Sequence, residues 1–254
     1  MDTATFSLMK RLILPLLCFV LLGTTAAPAP AATKPLGVDV SRFNGVIDWP
    51  TVSASGIRFA FVQASRGSGL DCAVKPTSCG ADPYWLANSA NAKAAGVRVG
   101  PYHRGFASGG TPATARADAL AEANVFIAQV GRLQSGDLLP VLDVETPFTG
   151  MTAVSLRAWI RTWLVRVKKR LGAQAMIYTN SSSWGATGHT TIFARKHPLW
   201  VAAWNVSRPI VPAANWGGRG WSVWQFTSSG SVPGISGRVD QNRLAVGLRK
   251  ISIP

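Results

Sequence analysis

The sequence contains few acidic residues: 11 Asp and Glu stand against 26 Lys and Arg in 254 residues, which gives a formal net charge of +15 and a pI of about 10.9. It also has only 3 Cys, no internal repeat and one apolar run, which lies near the N-terminus. These absences exclude collagen, repeat arrays and proteins with several membrane spans. Because 47% of the residues are hydrophobic and 15% are charged, the chain can bury a full core and is not a disordered polyelectrolyte.

The apolar run Leu12 to Gly23 follows Lys10 and Arg11 and precedes small residues with A-x-A patterns. It is about a dozen residues long, roughly eight short of a bilayer span. A secretory signal peptide typically has a positively charged start, a short apolar stretch and small residues at its end. The alternative is an uncleaved segment that anchors the chain in a membrane. We therefore predict a signal peptide over residues 1–32 and a secreted chain, extracellular or in the cell envelope, with no membrane association after cleavage.

Cleavage of this segment would leave 24 basic and 10 acidic side chains, a net charge of +14. It would also leave two cysteines, Cys72 and Cys79, in an oxidising compartment. We predict a local disulfide between them, which stabilises an exposed loop by roughly 2.5 kcal/mol in the chain-entropy model. No Cys or His partner stands at ligand spacing from this pair, so no metal site is predicted.

Residues 33–254 contain no linker or low-complexity segment, which indicates one domain. Helical patterns at 83–95, 112–130 and 152–171 separate the early β-rich runs, and loops rich in Gly, Pro, Ser and Asn separate the late ones. Alternating β and α units favour an α/β fold with a parallel sheet, and eight strands favour a barrel whose final third has lost its helices. The predicted strands are Leu36 to Ser41, Phe59 to Ala64, Val97 to His103, Leu138 to Glu145, Ala175 to Thr179, Leu199 to Trp204, Trp221 to Thr227 and Arg238 to Gln241.

Four of the acidic residues stand at or near the ends of predicted strands: Asp39, Asp143, Glu145 and Asp240. In a β/α barrel the C-terminal ends of the strands meet at one mouth, so we expect these side chains to converge. Asp143 and Glu145 are two positions apart, and they face the same way at about 6.7 Å along the backbone. Because two close carboxyls in a partly apolar mouth cannot both ionise easily, one pKa should rise, and a proton donor beside a charged partner is a glycosidase arrangement.

Five further polar or aromatic residues lie near strand ends and are predicted to bind substrate: Gln63, His103, Tyr178, Trp204 and Gln225. Amides and aromatic rings around carboxylates suit a sugar, whose hydroxyls need hydrogen bonds and whose C–H faces stack on rings. Each has a structural alternative, since a Trp in a β-run often belongs to the core and a lone His often has only structural partners. The carboxylates could likewise cap a helix or pair with an arginine.

The motifs around these residues resemble glycoside hydrolase family 25, the Chalaropsis-type lysozymes, and the resemblance extends over residues 36–245. It is carried by GVDVS (37–41) and GVIDW (45–49), PYH (101–103), PVLDVE (140–145), IY (177–178), WQFTS (224–228) and GRVDQN (237–242). The resemblance implies a flattened, modified TIM-like barrel with five β/α units followed by three strands. It also implies cleavage of the β-1,4 bond between N-acetylmuramic acid and N-acetylglucosamine in peptidoglycan, with no metal or organic cofactor.

Carried over position by position, the resemblance implies that Glu145 is the general acid, Asp143 its acidic neighbour, and Asp39 and Asp240 the other carboxylates of the site. Other D-x-E glycosidases acting on N-acetyl sugars suggest substrate assistance, in which Asp143 orients the acetamido group whose oxygen attacks the anomeric carbon. Direct attack by water would use the same carboxylates. The sequence departs from the family pattern at Asn44, where many relatives carry Gln, and at Arg104, where an aromatic is common.

The charge predicts accumulation on peptidoglycan and anionic cell-wall polymers through an attraction that weakens with salt. Nucleic-acid binding is not predicted, because the signal peptide removes the protein from the cytoplasm and no recognition motif is present. We expect a monomer. The competing hypotheses are a non-catalytic cationic glycan-binding protein on the same barrel and a chitinase-like glycosidase.

Overall fold

A computed structural model of the protein describes residues 1–3, 34–67, 79–148 and 150–254. All elements named below belong to the unit Lys34–Pro254. Most of the predicted signal peptide, and Cys72, lie outside the described residues, so the signal peptide and the disulfide with Cys79 remain predictions. The described strands are β1 (Leu36–Val40), β2 (Ile57–Arg66), β3 (Gly80–Ala81), β4 (Arg98–Arg104), β5 (Val141–Asp143), β6 (Met176–Thr179), β7 (Leu199–Ala202), β8 (Val223–Gly230) and β9 (Val239–Leu244).

The helices lie mainly in the first two thirds of the barrel. They are α1 (Trp49–Ala54), α2 (Trp85–Ala94), α3 (Pro112–Val130), α4 (Ala153–Leu171) and α5 (Ser181–Gly185), with 3-10 turns at Arg42–Asn44 and Leu248–Ile251. The turn Pro212–Gly217 has left-handed backbone at its four central residues. Among the described helices none is both long enough and apolar enough to cross a membrane.

The predicted α/β barrel is confirmed. Within the described chain, eight strands close on themselves in the order β1, β2, β4, β5, β6, β7, β8, β9, and β3 is an extra strand at the end of β2. Each of the eight predicted runs overlaps one barrel strand. Five β/α units, which end with α1 to α5 respectively, precede β7, β8 and β9.

Strand β9 differs from the parallel arrangement that the alternation of units predicts. It runs antiparallel to both of its neighbours, β8 and β1, whereas the other barrel pairs are parallel. An antiparallel neighbour needs only a short return, which residues 231–238 provide, while a parallel one needs a crossover. The short return explains why no helix precedes β9, whereas the parallel strands β7 and β8 are joined through the left-handed turn Pro212–Gly217.

Helix boundaries follow from local capping. Thr111 and Thr152 each accept a hydrogen bond from the backbone N–H three residues later, and Pro112 stands at the first position of α3. Gly172 ends α4 in the left-handed conformation. These caps start α3 and α4 where the sequence predicts them.

The core has two layers. The outer layer packs the helices on the barrel and includes Trp159 and Trp163 of α4. The inner layer fills the barrel with aromatic rings, of which Phe61 stacks on Trp200 at 4.4 Å between centroids and Tyr178 meets Trp200 edge-on at 4.7 Å. This aromatic layer forms a rigid floor beneath the C-terminal ends of the strands.

The C-terminal segment covers the opposite end of the barrel. Ile251 is buried in the inner layer, and its carbonyl accepts a hydrogen bond from the N–H of Leu139 at 2.8 Å. Ile253 N–H donates to the carbonyl of Asp137 at 2.7 Å. Since this segment packs against the N-terminal ends of the strands, the mouth at their C-terminal ends is left as the open one.

Gly100 in β4 tests the packing of the inner layer. A Cβ at this position would lie 2.8 Å from Cβ of Leu138 and 2.8 Å from the ring of Phe61. We expect Gly100→Ala to lower the free energy of unfolding by about 1–3 kcal/mol, because overpacking forces the neighbours to shift. Thermal unfolding measures this loss. Gly247→Ala is the matched control, since Gly247 has an ordinary φ of −69° and no atom within 4 Å of the added carbon; equal melting temperatures for the two variants would contradict the packing described.

Candidate active site

An open cleft with a cavity volume of about 170 Å³ lies at the mouth formed by the C-terminal ends of the parallel strands. The four predicted carboxylates all line it, and so do three of the five predicted substrate-binding residues. The lining residues are Asp39, Ser41, Phe43, Gln63, Arg66, Tyr102, Arg104, Asp143, Glu145, Tyr178, Trp200, Gln225 and Asp240. The predicted convergence of side chains from β1, β5 and β9 is therefore observed.

Asp39 and Asp240 form one carboxyl pair. They face each other in the register of β1 and β9, and their side chains hydrogen-bond. Burial, and next the charge of Asp240, raise the pKa of Asp39 well above its usual range, and burial also raises the pKa of Asp240. Because two adjacent carboxyls resist losing both protons, the pair is expected to retain a proton further into the neutral range than isolated carboxyls do.

Two amide side chains hold Asp39 in place. Gln225 Nε2 donates to both carboxyl oxygens of Asp39 at 3.0 Å, and Asn242 Nδ2 donates to Oδ2 at 2.7 Å. The amide orientations are fixed by donor-only indoles, since Trp204 Nε1–H donates to Gln225 Oε1 at 3.0 Å and Trp200 Nε1–H to Asn242 Oδ1 at 2.7 Å. The sequence predicts Gln225 at the site but gives it a substrate contact rather than this positioning bond.

Asp143 and Glu145 form the second pair, and Arg104 lies beside them. Arg104 Nε is 3.0 Å from Glu145 Oε1 and 3.7 Å from Asp143 Oδ2. The Glu145 side chain is 29% exposed, whereas Asp143 is buried. The departure from the family pattern at Arg104 thus places a cation against both acids.

The two acids of this pair have different surroundings. Burial, and next the charge of Glu145, raise the pKa of Asp143 well above its usual range, against the opposing charges of Arg104 and Arg66. Asp143 Oδ1 is buried and accepts no hydrogen bond from the described residues. The cleft therefore offers an enclosed carboxyl that tends to keep a proton beside a partly exposed one that can reach a bound molecule.

His103 does not lie in the cleft, so its predicted substrate contact does not fit the structure. Tyr102 and Arg104 point into the barrel mouth, and His103 between them points outward to α3 because successive strand residues alternate in direction. Its ring is fully buried, with Nδ1 2.8 Å from Ser65 Oγ and Nε2 2.7 Å from Glu122 Oε2. Burial lowers the pKa of His103 to about 3, which keeps the ring neutral.

Trp204 lies outside the lining of the cleft. It is 48% exposed and reaches the site through its bond to Gln225, so its predicted contact with substrate stays a prediction.

Sequence reasoning missed several lining residues, notably Phe43 and Arg66. The register between β2 and β4 shifts between Gln63 and Ser65, which marks a β-bulge. Beyond the bulge, Arg66 of β2 lies opposite Arg104 of β4 in the strand register, and its side chain lines the cleft. Strict alternation from Gln63 would place Ser65 there instead, so the pattern alone could not reveal Arg66.

Two buried acids on α3 were also missed. Glu122 Oε2 accepts a hydrogen bond from the N–H of Phe106 at 3.1 Å, and Asp118 Oδ2 accepts from the N–H of Ser108 at 3.1 Å and from Trp159 Nε1 at 2.8 Å. These bonds anchor the loop after β4, which carries Phe106 next to the cleft. An apolar helix stripe gives no signal for acids that bind a neighbouring loop.

Comparison with known proteins gives consistent matches over this same region. Residues 38–235 match the family model described as glycosyl hydrolases family 25. Lysozyme M1 of Streptomyces globisporus is 35% identical over 223 residues, which cover 84% of this chain and 69% of that protein. The N,O-diacetylmuramidase of Chalaropsis sp is 29% identical over 226 residues, or 83% of this chain and 99% of that one. The crystal structure of the bacterial lysozyme from Streptomyces coelicolor superposes with a TM-score of 0.73 at 31% identity, covering 87% of this chain and 96% of that chain.

The raised pKa of Asp143 predicts a stability cost at neutral pH. The folded protein keeps this proton to a higher pH than the unfolded chain, which loses it above about pH 4, so the contribution of Asp143 to the free energy of unfolding falls as pH rises from there to the folded pKa. We expect Asp143→Asn to raise the melting temperature at pH 7 and to lose this gain near pH 4. Arg104 keeps Glu145 as its partner in the variant.

Asp48→Asn is the control of opposite sign. Asp48 is exposed, and hydrogen bonds from the Thr51 side chain and backbone lower its pKa, so its contribution to stability is present above the unfolded pKa and is lost as pH falls. This variant should show no gain at pH 7. Absence of a gain at pH 7 for Asp143→Asn, or an equal gain at both pH values, would contradict the electrostatic description.

Proposed function

Since this chain belongs to the glycosyl hydrolases of family 25, and is thus a glycoside hydrolase, we propose that it is a secreted muramidase that cleaves the β-1,4 bond between N-acetylmuramic acid and N-acetylglucosamine in peptidoglycan. The meeting of Asp39, Asp143, Glu145 and Asp240 in one sugar-sized cleft carries this proposal. The names of the relatives, lysozyme and N,O-diacetylmuramidase, support the substrate, and the signal-like N-terminal segment supports secretion.

Glu145 acts as the general acid in this proposal. It is the more exposed member of its pair, so it can reach the glycosidic oxygen of a bound glycan. Arg104 at 3.0 Å fixes its side chain, and that contact must yield as Glu145 turns toward the leaving oxygen. Proton transfer to that oxygen then accompanies cleavage of the bond to the anomeric carbon.

Asp143 orients the acetamido group of the sugar. Its buried Oδ1, which has no hydrogen-bond partner among the described residues, is placed to accept the acetamido N–H. Burial favours a proton on Asp143 before the glycan binds, and this proton must pass to Glu145, because the step needs a protonated Glu145 and an ionised Asp143. The acetamido oxygen then attacks the anomeric carbon as the glycosidic bond breaks, and the ionised Asp143 stabilises the positive charge that develops on the ring so formed. Water then opens this ring, giving its proton to Glu145 and restoring the acetamido group.

Asp39 and Asp240 hold the sugar beside this centre. Their carboxyl oxygens offer hydrogen-bonding groups for sugar hydroxyls, while the aromatic floor around Trp200 and Tyr178 excludes water from below. The indole-fixed orientation of Gln225 keeps this part of the cleft preorganised.

The cationic surface supports binding to anionic wall polymers. Between Glu145 and Asp240 the sequence contains eleven Lys and Arg residues and no Asp or Glu. Lys168, Lys169 and Arg170 are exposed in the last turn of α4. We propose that this half of the barrel holds the enzyme on the wall by long-range attraction.

Glu145→Gln tests the catalytic assignment. Without a proton donor at this position, we expect the rate of peptidoglycan solubilisation to fall about 100-fold or more while binding to cell walls is retained. Asp48→Asn makes the same loss of charge at an exposed helix cap and should keep the parent rate. A Glu145→Gln protein that clears walls as fast as the parent would overturn the assignment.

Mass spectrometry of the released fragments completes this test. A muramidase releases fragments whose reducing ends are N-acetylmuramic acid. Reducing ends of N-acetylglucosamine would indicate a glucosaminidase, and solubilisation of chitin in preference to peptidoglycan would indicate the chitinase-like alternative.

A triple variant tests the role of charge. Replacing Lys168, Lys169 and Arg170 by Gln should weaken binding to anionic walls roughly three- to tenfold at low salt and leave hydrolysis of soluble glycan unchanged. The difference should vanish at high salt because screening removes the attraction. The charge-retaining variant with Arg at 168 and 169 and Lys at 170 should bind as the parent does; equal binding by all three proteins at low salt would show that this surface has no such role.

A further inference from the structure

Two arginines, Arg66 and Arg104, line the cleft, and a third, Arg42, lies close to Arg66. Arg66 and Arg104 flank the same ring, with their guanidinium carbons 4.9 Å and 5.7 Å from the centroid of Phe106. Arg42 is close enough that its charge, like that of Arg104, adds to the effect of burial in lowering the pKa of Arg66. The cleft is therefore lined by two cations, with a third nearby, as well as by its four carboxylates.

Two of these cations have acidic partners at close range. Arg104 Nε lies 3.0 Å from Glu145, and Arg42 Nε lies 3.7 Å from Asp82. Arg66 differs, since it forms no salt bridge with the part of the chain that the structure describes. Its buried Nε, like that of Arg42, has no hydrogen-bond partner there. Its charge is balanced by no direct acidic contact among these residues, although it lines the cleft.

Aromatic rings hold the Arg66 guanidinium in place. Besides Phe106, the ring of Phe43 lies 5.6 Å from it, and Phe43 is 81% exposed. A guanidinium packed against ring faces keeps its N–H edge for acceptors in its own plane, and the fork of N–H groups matches the two oxygens of a carboxylate. The backbone N–H of Phe106 donates a hydrogen bond to Glu122, so the loop that carries this ring is itself anchored.

We propose that Arg66, held between Phe43 and Phe106, is a subsite for a carboxylate carried by the glycan in the cleft. The proposal rests on the proposed function. Arg66 is near enough to Asp143 to act on that carboxyl, so the anion it binds must belong to a sugar at or next to the acid pair. Peptidoglycan offers such a carboxylate in two places: on the lactyl ether of muramic acid, where no peptide is attached, and on the stem peptide.

This subsite would make the enzyme selective for acidic glycans. A neutral polymer of N-acetylglucosamine has the hydroxyl and acetamido groups that the rest of the cleft can hold, but it offers no anion to Arg66. Such a glycan fills the cleft without giving this cation an acidic partner, and the described residues supply none in direct contact. Arg66 is therefore a specificity-determining residue of the proposed reaction.

The test compares Arg66→Gln with Arg66→Lys and with Arg58→Gln. Arg58 is the matched control, because it lies at the other end of β2, is exposed, and donates only to backbone carbonyls there. Three soluble substrates are used: glycan strands with stem peptides, strands stripped of peptide so that the lactyl carboxylates are exposed, and the stripped strands with those carboxylates converted to amides.

For Arg66→Gln we expect KM to rise about tenfold on a carboxylate-bearing substrate and to stay unchanged on the amidated strands, while any change in kcat from the loss of the Arg66 charge near Asp143 should be the same on all three substrates. The KM of Arg66→Lys should lie between those of the parent and of Arg66→Gln. Arg58→Gln should have the same KM as the parent on all three substrates. An effect on stripped strands assigns the lactyl carboxylate, and an effect on peptide-bearing strands alone assigns the stem peptide; both support the subsite. An equal rise in KM on amidated strands, or no rise on either acidic substrate, would overturn it.

A binding measurement separates this proposal from the proposed function. Calorimetry measures the affinity of two proteins, Glu145→Gln alone and Glu145→Gln combined with Arg66→Gln. The ligands are a muramic-acid tetrasaccharide and its amidated form. We expect the second substitution to weaken binding of the acidic form about tenfold and to leave the amidated form unchanged. If that difference appears but the parent hydrolyses no glycan, the proposed function fails and the subsite stands. If the parent hydrolyses peptidoglycan and neither binding nor KM depends on Arg66, the subsite alone is wrong.

Discussion

The pairing of the last strand with the first is the contact on which the site depends. Because β9 runs antiparallel between β8 and β1, it closes the barrel and places Asp240 opposite Asp39. The same closure fixes β1 beside β2, and through β4 it sets the distance to Asp143 and Glu145 on the far side of the mouth. Without this reversed strand, the carboxyl groups from the two ends of the chain would not share a cleft.

Gathering four acids at one mouth works against folding, and the surrounding structure offsets that cost. Burial raises the pKa of Asp39 and of Asp143, so at a given pH fewer of the four carboxyls are ionised and their mutual repulsion is smaller. Indole-oriented amides satisfy Asp39, and Arg104 lies against the second pair. The acids therefore stay in fixed positions on a rigid aromatic floor, which is the preorganisation that charge stabilisation in a reaction requires.

Much of this arrangement could be predicted from the sequence. The eight strand runs, the start of α3 at its Thr111 cap and the convergence of the four acids follow from hydrophobic pattern, capping residues and strand-end placement. Those signals are local or depend only on the closure of a barrel. The direction of β9 was not visible, because the hydrophobic pattern of a strand is the same in both directions.

The two failures inside the site have particular causes. His103 was placed at the substrate because it stands at a strand end, yet its neighbours Tyr102 and Arg104 take the inward positions and leave it facing Glu122. Arg66 was missed because a bulge after Gln63 changes which residues face inward, and a bulge has no hydrophobic signature of its own. In both cases the strand itself is predicted correctly, and the error concerns which side of the strand the side chain points to.

A crystal structure of the Glu145→Gln protein with a bound peptidoglycan fragment would show whether these carboxyls act on the glycan. We expect a glycan in the cleft, with the scissile oxygen within hydrogen-bond distance of residue 145 and the acetamido N–H of the adjoining sugar bound to Asp143. A glycan seated on the outer face of the barrel, or one whose scissile bond lies away from both side chains, would contradict this expectation.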